Sequence, residues 1–268
     1  MTADEPRVAP ASDYDTFVNW DARLKRELPL FRRVFDEVGA ASVIDVGAGS
    51  AKHSIAFAQW GLSVDAVDPD DSMLAQAEVN AAAAAERIAE AGGELRLERT
   101  GFGELAARGL GPADAVVCTG NALPHVAGLA GLRAALADFS AVLRPGGVLV
   151  LHLLNHAKLL RTRPRSIPPI VRETPDGTRV FLRVIDYPQG DEFLDFDFVT
   201  LTRDSCGVWD VTSRRSPHTA LPVELLRTEL AAAGFERVEA FGSHDSTPLD
   251  ADKDESVIVV ARTASAAE

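Results

Sequence analysis

Val43-Ile44-Asp45-Val46-Gly47-Ala48-Gly49-Ser50-Ala51 is the stretch on which the fold turns. Its first half, with Ser42, is a short run rich in β-branched residues, the mark of a strand buried on both faces. Its second half places small residues at Gly47, Gly49 and Ala51. They let the backbone turn tightly and come close to a ligand. Residues 54–60 then read as a helix. A strand, a glycine turn and a helix in this order open a parallel α/β sheet.

The next strand, 62–67, ends at Val67-Asp68. A carboxylate at the tip of a second strand, about 20 residues past a glycine turn, can accept hydrogen bonds from both hydroxyls of an adenosine ribose. Two common ligands of such turns are disfavoured. A dinucleotide fingerprint closes on Gly or Ala, and here that position is Lys52, too large where helix and strand must pack closely. The phosphate loop G-x-x-x-x-G-K-[ST] is absent. Asp45 is the wrong charge for a pyrophosphate and the right one for a cationic ligand. A glycine turn without any ligand is the alternative.

Further out, helices are expected at 22–38, 72–91 and 129–143. Asp70 and Asp71 stand ready to cap the second, and Gly92-Gly93 to end it. Strands are expected at 95–97, 114–118 and 148–154, with a turn at 144–147. After Lys158 the pattern changes. Three period-two strands, 179–186, 193–201 and 208–214, are separated by turn residues. A helix at 223–233 and strands at 237–241 and 256–261 close the chain. The fold class that follows is α/β, a doubly wound Rossmann-like sheet with an inserted antiparallel β meander. One domain spans 14–262, the meander occupies 175–217, and residues 1–13 and 263–268 are expected to lack order.

Composition narrows the function classes. The formal net charge is -13. A nucleic-acid binder needs clustered Lys and Arg, and the one basic cluster, Arg161, Arg163 and Arg165 among prolines, reads as a solvated loop. No nucleic-acid partner is expected. No apolar run reaches the roughly 18 residues of a membrane span, and the start of the chain lacks a signal-peptide pattern, so a cytoplasmic location is expected. Cys118 and Cys206 alone make neither a disulfide framework nor a cysteine metal cage.

Asp45-x-Gly47-x-Gly49 resembles the cofactor motif of class I S-adenosylmethionine-dependent methyltransferases. Asp68 resembles their ribose-binding acid, and Met73 falls where that family packs a side chain on adenine. Residues 114–125 and 143–147 are similar to their later motifs. Within the class, Gly120-Asn121 and Val150-Leu151-His152-Leu153-Leu154-Asn155 look most like glycine N-methyltransferase and its bacterial relatives. Tyr14, Trp20 and Arg23 resemble a segment that closes over the cofactor in that group, with Arg23 pairing with the methionine carboxylate. Phe102 stands where the family places an adenine contact, although Gly101-Phe102-Gly103 lacks its usual acid or amide. The resemblance thus implies S-adenosyl-L-methionine as cofactor and methyl transfer to a small-molecule acceptor. A non-catalytic binding protein and a nicotinamide-dependent oxidoreductase are the alternatives.

The cofactor carries the hard step, and the protein must position the acceptor. A general base helps only a protonated acceptor. His125 and His156, near the C-terminal ends of two central strands, are the candidates for a direct substrate role. His218 could reach the same cavity from the meander. His53 and His152 read as packing residues and His244 as a loop residue. No metal site is expected, since His125, His152 and His156 lack ligand spacing. Tyr187, Phe193, Phe196 and Trp209 form either the meander's own core or a lid over the acceptor. In glycine N-methyltransferases an arginine that grips the acceptor carboxylate precedes the residue matching Asn155. Here that position is Leu154, which implies a larger or less acidic acceptor than glycine. Arg161, Arg163 and Arg183 remain as sources of charge from another direction.

Overall fold

The structure, a computed structural model, describes residues 11–265 except residue 189. Its main sheet has seven strands. The first five are β1 (Ser42–Val46), β2 (Ser63–Val67), β3 (Glu94–Glu98), β4 (Ala113–Cys118) and β5 (Leu143–Leu154). They run parallel, and β10 (Phe235–Phe241) and β11 (Ser256–Thr263) add an antiparallel edge. The order is β10-β11-β5-β4-β1-β2-β3. It reverses between β1 and β4, the point at which open α/β sheets bind ligands.

Both faces of this sheet are dry, and residue alternation shows it. Val43, Ala115, Val117, Val148 and Val150 face one way, into a core completed by α2 (Trp20–Val38), α3 (Lys52–Ala58) and α4 (Asp71–Glu90). Ile44, Val116, Leu149 and Leu151 face the other, onto α5 (Gly128–Val142) and α7 (Val223–Ala232). Asp70 caps α4 through Ser72 N and Met73 N. Between β3 and β5 short 3-10 turns occupy Ala106–Arg108 and Leu123–His125.

The inserted meander is larger than its sequence suggests. It has four strands, β6 (Ser166–Thr174), β7 (Gly177–Asp186), β8 (Phe193–Arg203) and β9 (Trp209–Thr219), in sequential order. β6 falls partly on the stretch read as a solvated loop. Pro168 and Pro169 hid it, but β6 is an edge strand and its pairing breaks between Ile167 and Ile170, where prolines are tolerated. A helix, α6 (His156–Thr162), also escaped notice, though its N-cap Asn155 was a readable signal. The stretch 144–147, expected as a turn, lies inside β5, with Gly146 left-handed. Of the residues expected to lack order, Ala11–Asp13 lie in α1 (Ala11–Phe17) and Thr263 ends β11. Residues 1–10 and 266–268 lie outside the described residues.

Candidate functional site

β1 delivers the glycine loop across the end of β2, where Gly47 N and Ala48 N both donate to Val67 O. Gly47, Gly49 and Ala51 are left-handed. A Cβ on Gly47 would stand 2.7 Å from Ala122 Cβ, so only glycine fits. Asp68 is 8% exposed and clamps the loop: Gly49 N donates to its Oδ2 at 2.8 Å and Asp70 N to its Oδ1 at 2.9 Å. Each oxygen keeps a lone pair for a further donor. Burial raises the Asp68 pKa against these two bonds. Asp45 lies beneath the loop and accepts from Ser54 Oγ at 2.6 Å, its pKa also raised by burial.

The N-terminal helices roof this loop. A Cβ on Gly49 would meet Tyr14 Cε1 at 3.9 Å and Met73 Sδ at 4.0 Å. One on Gly120 would meet Tyr14 Oη at 3.4 Å and Arg23 Nη2 at 3.5 Å. Tyr14, Arg23, Met73 and the two glycine turns therefore border one space. Trp20 packs under the Arg23 guanidinium, 5.1 Å from it. Asp15 fastens α1 down, accepting from Trp20 Nε1, Ser50 Oγ and Asn80 Nδ2. Arg23 Nε donates to both oxygens of the fully buried Glu27, which also bonds His53 Nε2 at 2.8 Å. Although burial opposes it, the His53 bond and Arg23 hold Glu27 well below the ordinary carboxylate range. Glu27 is thus spent on fixing Arg23, whose terminal nitrogens face Gly120.

The second sheet covers the C-terminal ends of β4 and β5. Gly120 and Asn121 are left-handed in succession. Asn121 Oδ1 accepts from Leu154 N at 2.9 Å, which turns its Nδ2 toward His218 Nδ1 at 3.3 Å. His125 stands across that cleft, its ring 4.5 Å from His218 and its Nδ1 3.3 Å from Ser216 Oγ. Burial, then Arg214, hold His125 below its ordinary pKa. Burial chiefly, with His125 next, pushes His218 down to about 3. Phe196 is the aromatic that faces the cleft, its ring 4.5 Å from His218. Phe193 and Trp209 are 40% and 48% exposed, and Tyr187 donates its hydroxyl to Pro164 O.

Residues 43–147 match the family described as a methyltransferase domain. A crystal structure of an S-adenosylmethionine-dependent methyltransferase from Clostridium acetobutylicum superposes with a TM-score of 0.75 at 14% identity, over 95% of this chain and 97% of that one. The sugar N-methyltransferase KedS8 from Streptoalloteichus gives 0.74 at 22% identity, over 98% and 97%. In this chain the match to a methyltransferase domain is confined to residues 43–147, and the solved structures share its fold. Among curated proteins, the glycine/sarcosine N-methyltransferase of Parasynechococcus marenigrum is 35% identical over 148 residues, 55% of this chain and 50% of that protein. The chain spans about half the length of the curated relatives it matches.

Tyr14, Trp20, Arg23, Gly47, Gly49, Asp68, Met73, Gly120 and Asn121 gather at the switch point, with Asp45 supporting them from below. Phe102 packs on Phe139, ring centroids 6.2 Å apart. His156 requires a correction. It is fully buried, and its Nδ1 accepts from Leu221 N at 2.8 Å, tying α6 to the chain that leaves the second sheet. Its Nδ1 lone pair is spent on this bond, burial pushes its pKa down to about 4, and its Nε2 has no hydrogen-bond partner among the described residues, so the ring joins two segments beneath the cleft and does not line it. His125, His152 and His156 do not converge: His152 lies beside His244, centroids 4.8 Å apart. Glu27, His152 and His244 bring ligand atoms within 4.8 Å of one another, but Glu27 already serves Arg23 and His53. Sequence reasoning missed Asp15 and Glu27. Glu27 carried a signal, a carboxylate on the apolar stripe of α2 beside Leu24, Leu28 and Phe31.

Proposed function

We propose that the chain transfers a methyl group from S-adenosyl-L-methionine to a nitrogen or oxygen of a small-molecule acceptor larger than glycine. The observation that carries the reading is Asp68, a buried carboxylate whose two oxygens each keep a lone pair beside the glycine loop. A ribose diol supplies the two donors that complete it. Met73 would border the adenine, and Arg23, with Tyr14, would take the methionine carboxylate at the Gly120 turn. When bound, the cofactor supplies an electrophilic methyl on a sulfonium. The chain's own residues hold that methyl against the cleft, with Asn121 fixing the edge of β5 and the second sheet excluding water. His125, accessible and held below its ordinary pKa, is the residue placed to take a proton from the acceptor.

Leu154 argues against glycine despite the names of the curated relatives. It packs with Leu194 and Phe196 in an apolar cluster, where a carboxylate would find no partner. Arg161 and Arg163 do not fill the gap, being tied to Asp252 and Asp191, which leaves Arg183, on the face of the second sheet that carries Phe196, as the remaining source of charge. Calorimetric titration with S-adenosylhomocysteine and with NAD tests the cofactor, binding of the first alone being expected. Turnover on a metabolite panel tests catalysis. Turnover of several per second on glycine or sarcosine would overturn the acceptor reading.

A further inference from the structure

The second sheet sorts its charges by face. In antiparallel pairs, directly opposed residues point to the same side, as do residues two apart on a strand. Arg183 opposes Phe198, and Phe198 opposes Arg214, so the three form one row. The row shares a face with Ile185, Phe196 and His218, all buried, the first two in a cluster with Leu154 and Leu159. On the outer face, carboxylates neutralise the cations: Arg215 reaches Asp186, Asp195 and Asp197, and Arg165 reaches Asp186.

The inner row is less neutralised: Arg214 is exposed and its charge reaches the carboxylate of Asp70, while Arg183 has no carboxylate beside it among the described residues. Among the described residues, neither Arg183 nor Arg214 makes an ion pair, in a chain whose net charge is -13. Both lie against aromatic faces instead, Arg183 5.4 Å from the Phe17 ring and Arg214 5.8 Å from the Phe198 ring. Arg183 is half-buried, and that burial lowers its pKa. A cation held in such a place without a counter-ion is costly. Two flanking one aromatic ring call for an anion with several oxygens, and guanidinium forks match phosphate oxygens in pairs. From Arg214 to His218 is four residues along β9, about 13 Å of strand, too far for the carboxylate of glycine and suited to an acceptor with a separate anionic arm.

We propose that Arg183 and Arg214 form a phosphate-binding row that receives the phosphate or diphosphate of a phosphorylated small-molecule acceptor. This rests on the reading of the cleft as a methyl-acceptor site, and it replaces the less acidic acceptor expected from Leu154. The test uses the full chain saturated with S-adenosylhomocysteine and titrates inorganic pyrophosphate, with acetate as the carboxylate arm. Pyrophosphate is expected to bind, more weakly as salt rises. Arg183→Gln with Arg214→Gln should lose at least about tenfold in its affinity, while Arg161→Gln with Arg163→Gln should change nothing. Arg183→Met should also melt no lower than wild type without ligand, because it removes a half-buried charge that has no counter-ion. Failure of pyrophosphate to bind at millimolar concentration, equal affinity in the double variant, preference for acetate, or a large loss of stability in Arg183→Met would each overturn the proposal. Failure of S-adenosylhomocysteine itself to bind would instead strike the reading of the cofactor site.

Discussion

Each oxygen of Asp68 accepts one backbone N–H, so this residue shapes the glycine loop and keeps a lone pair on each oxygen for the proposed ribose contacts. Asp68→Ala should weaken S-adenosylhomocysteine by about 1.5–3 kcal/mol for each charge-assisted bond lost. Calorimetry reads this directly, and an unchanged affinity rejects the ribose assignment. Gly49 has φ of 56°, with Tyr14 and Met73 in ordinary contact, 3.9 and 4.0 Å, with the place its Cβ would occupy. Valine there adds a left-handed penalty of roughly 1–2 kcal/mol and branches into the ligand's space. Gly49→Val should therefore abolish binding while its circular-dichroism melt stays cooperative. Normal binding by that variant means that the loop serves the fold alone.

Between elements, the second sheet and the main sheet hold separate apolar clusters. Leu159, Ile185, Leu194, Phe196 and Ala220 make up the smaller one. Phe196→Ala removes its largest buried ring, at a cost of about 3–5 kcal/mol. That loss should be local, because β1, β4 and β5 are packed by other residues on both faces. Hydrogen exchange is expected to quicken across β7, β8 and β9 and stay slow in β1 and β4. Uniform quickening across both sheets would show that they unfold as one unit.

At the scale of the molecule, buried neutral histidines make stability depend on pH. His156 and His244 sit at about 4, His152 and His218 at about 3, each held down chiefly by burial. The unfolded chain protonates the same rings near pH 6.5. Between these values the unfolded state binds more protons, so stability rises with pH and is lost as pH falls from about 6.5 toward 4. For His156 alone the drop corresponds to on the order of 3 kcal/mol. Glu27, held low in the folded chain, gives up its contribution only at still lower pH. The urea midpoint should fall steadily across that window, even as acid relieves the negative net charge. A midpoint that stays flat would mean that these rings are not buried neutral.

What the sequence by itself determined is local. β-branched runs, Gly47 and Gly49, the cap at Asp70 and the position of Asp68 each act through their own backbone or a near neighbour, so the Rossmann-like sheet and the cofactor edge could be read in order. The tertiary structure alone decided which distant groups meet. Asp15 reaches Asn80, and Glu27 reaches His53, only once α1, α2 and α4 pack together. The tautomer of His156 follows from the N–H of Leu221, across a whole sheet in sequence. The row of Arg183, Phe198 and Arg214 exists because of strand register, and a shift of one residue would send those side chains to the opposite face.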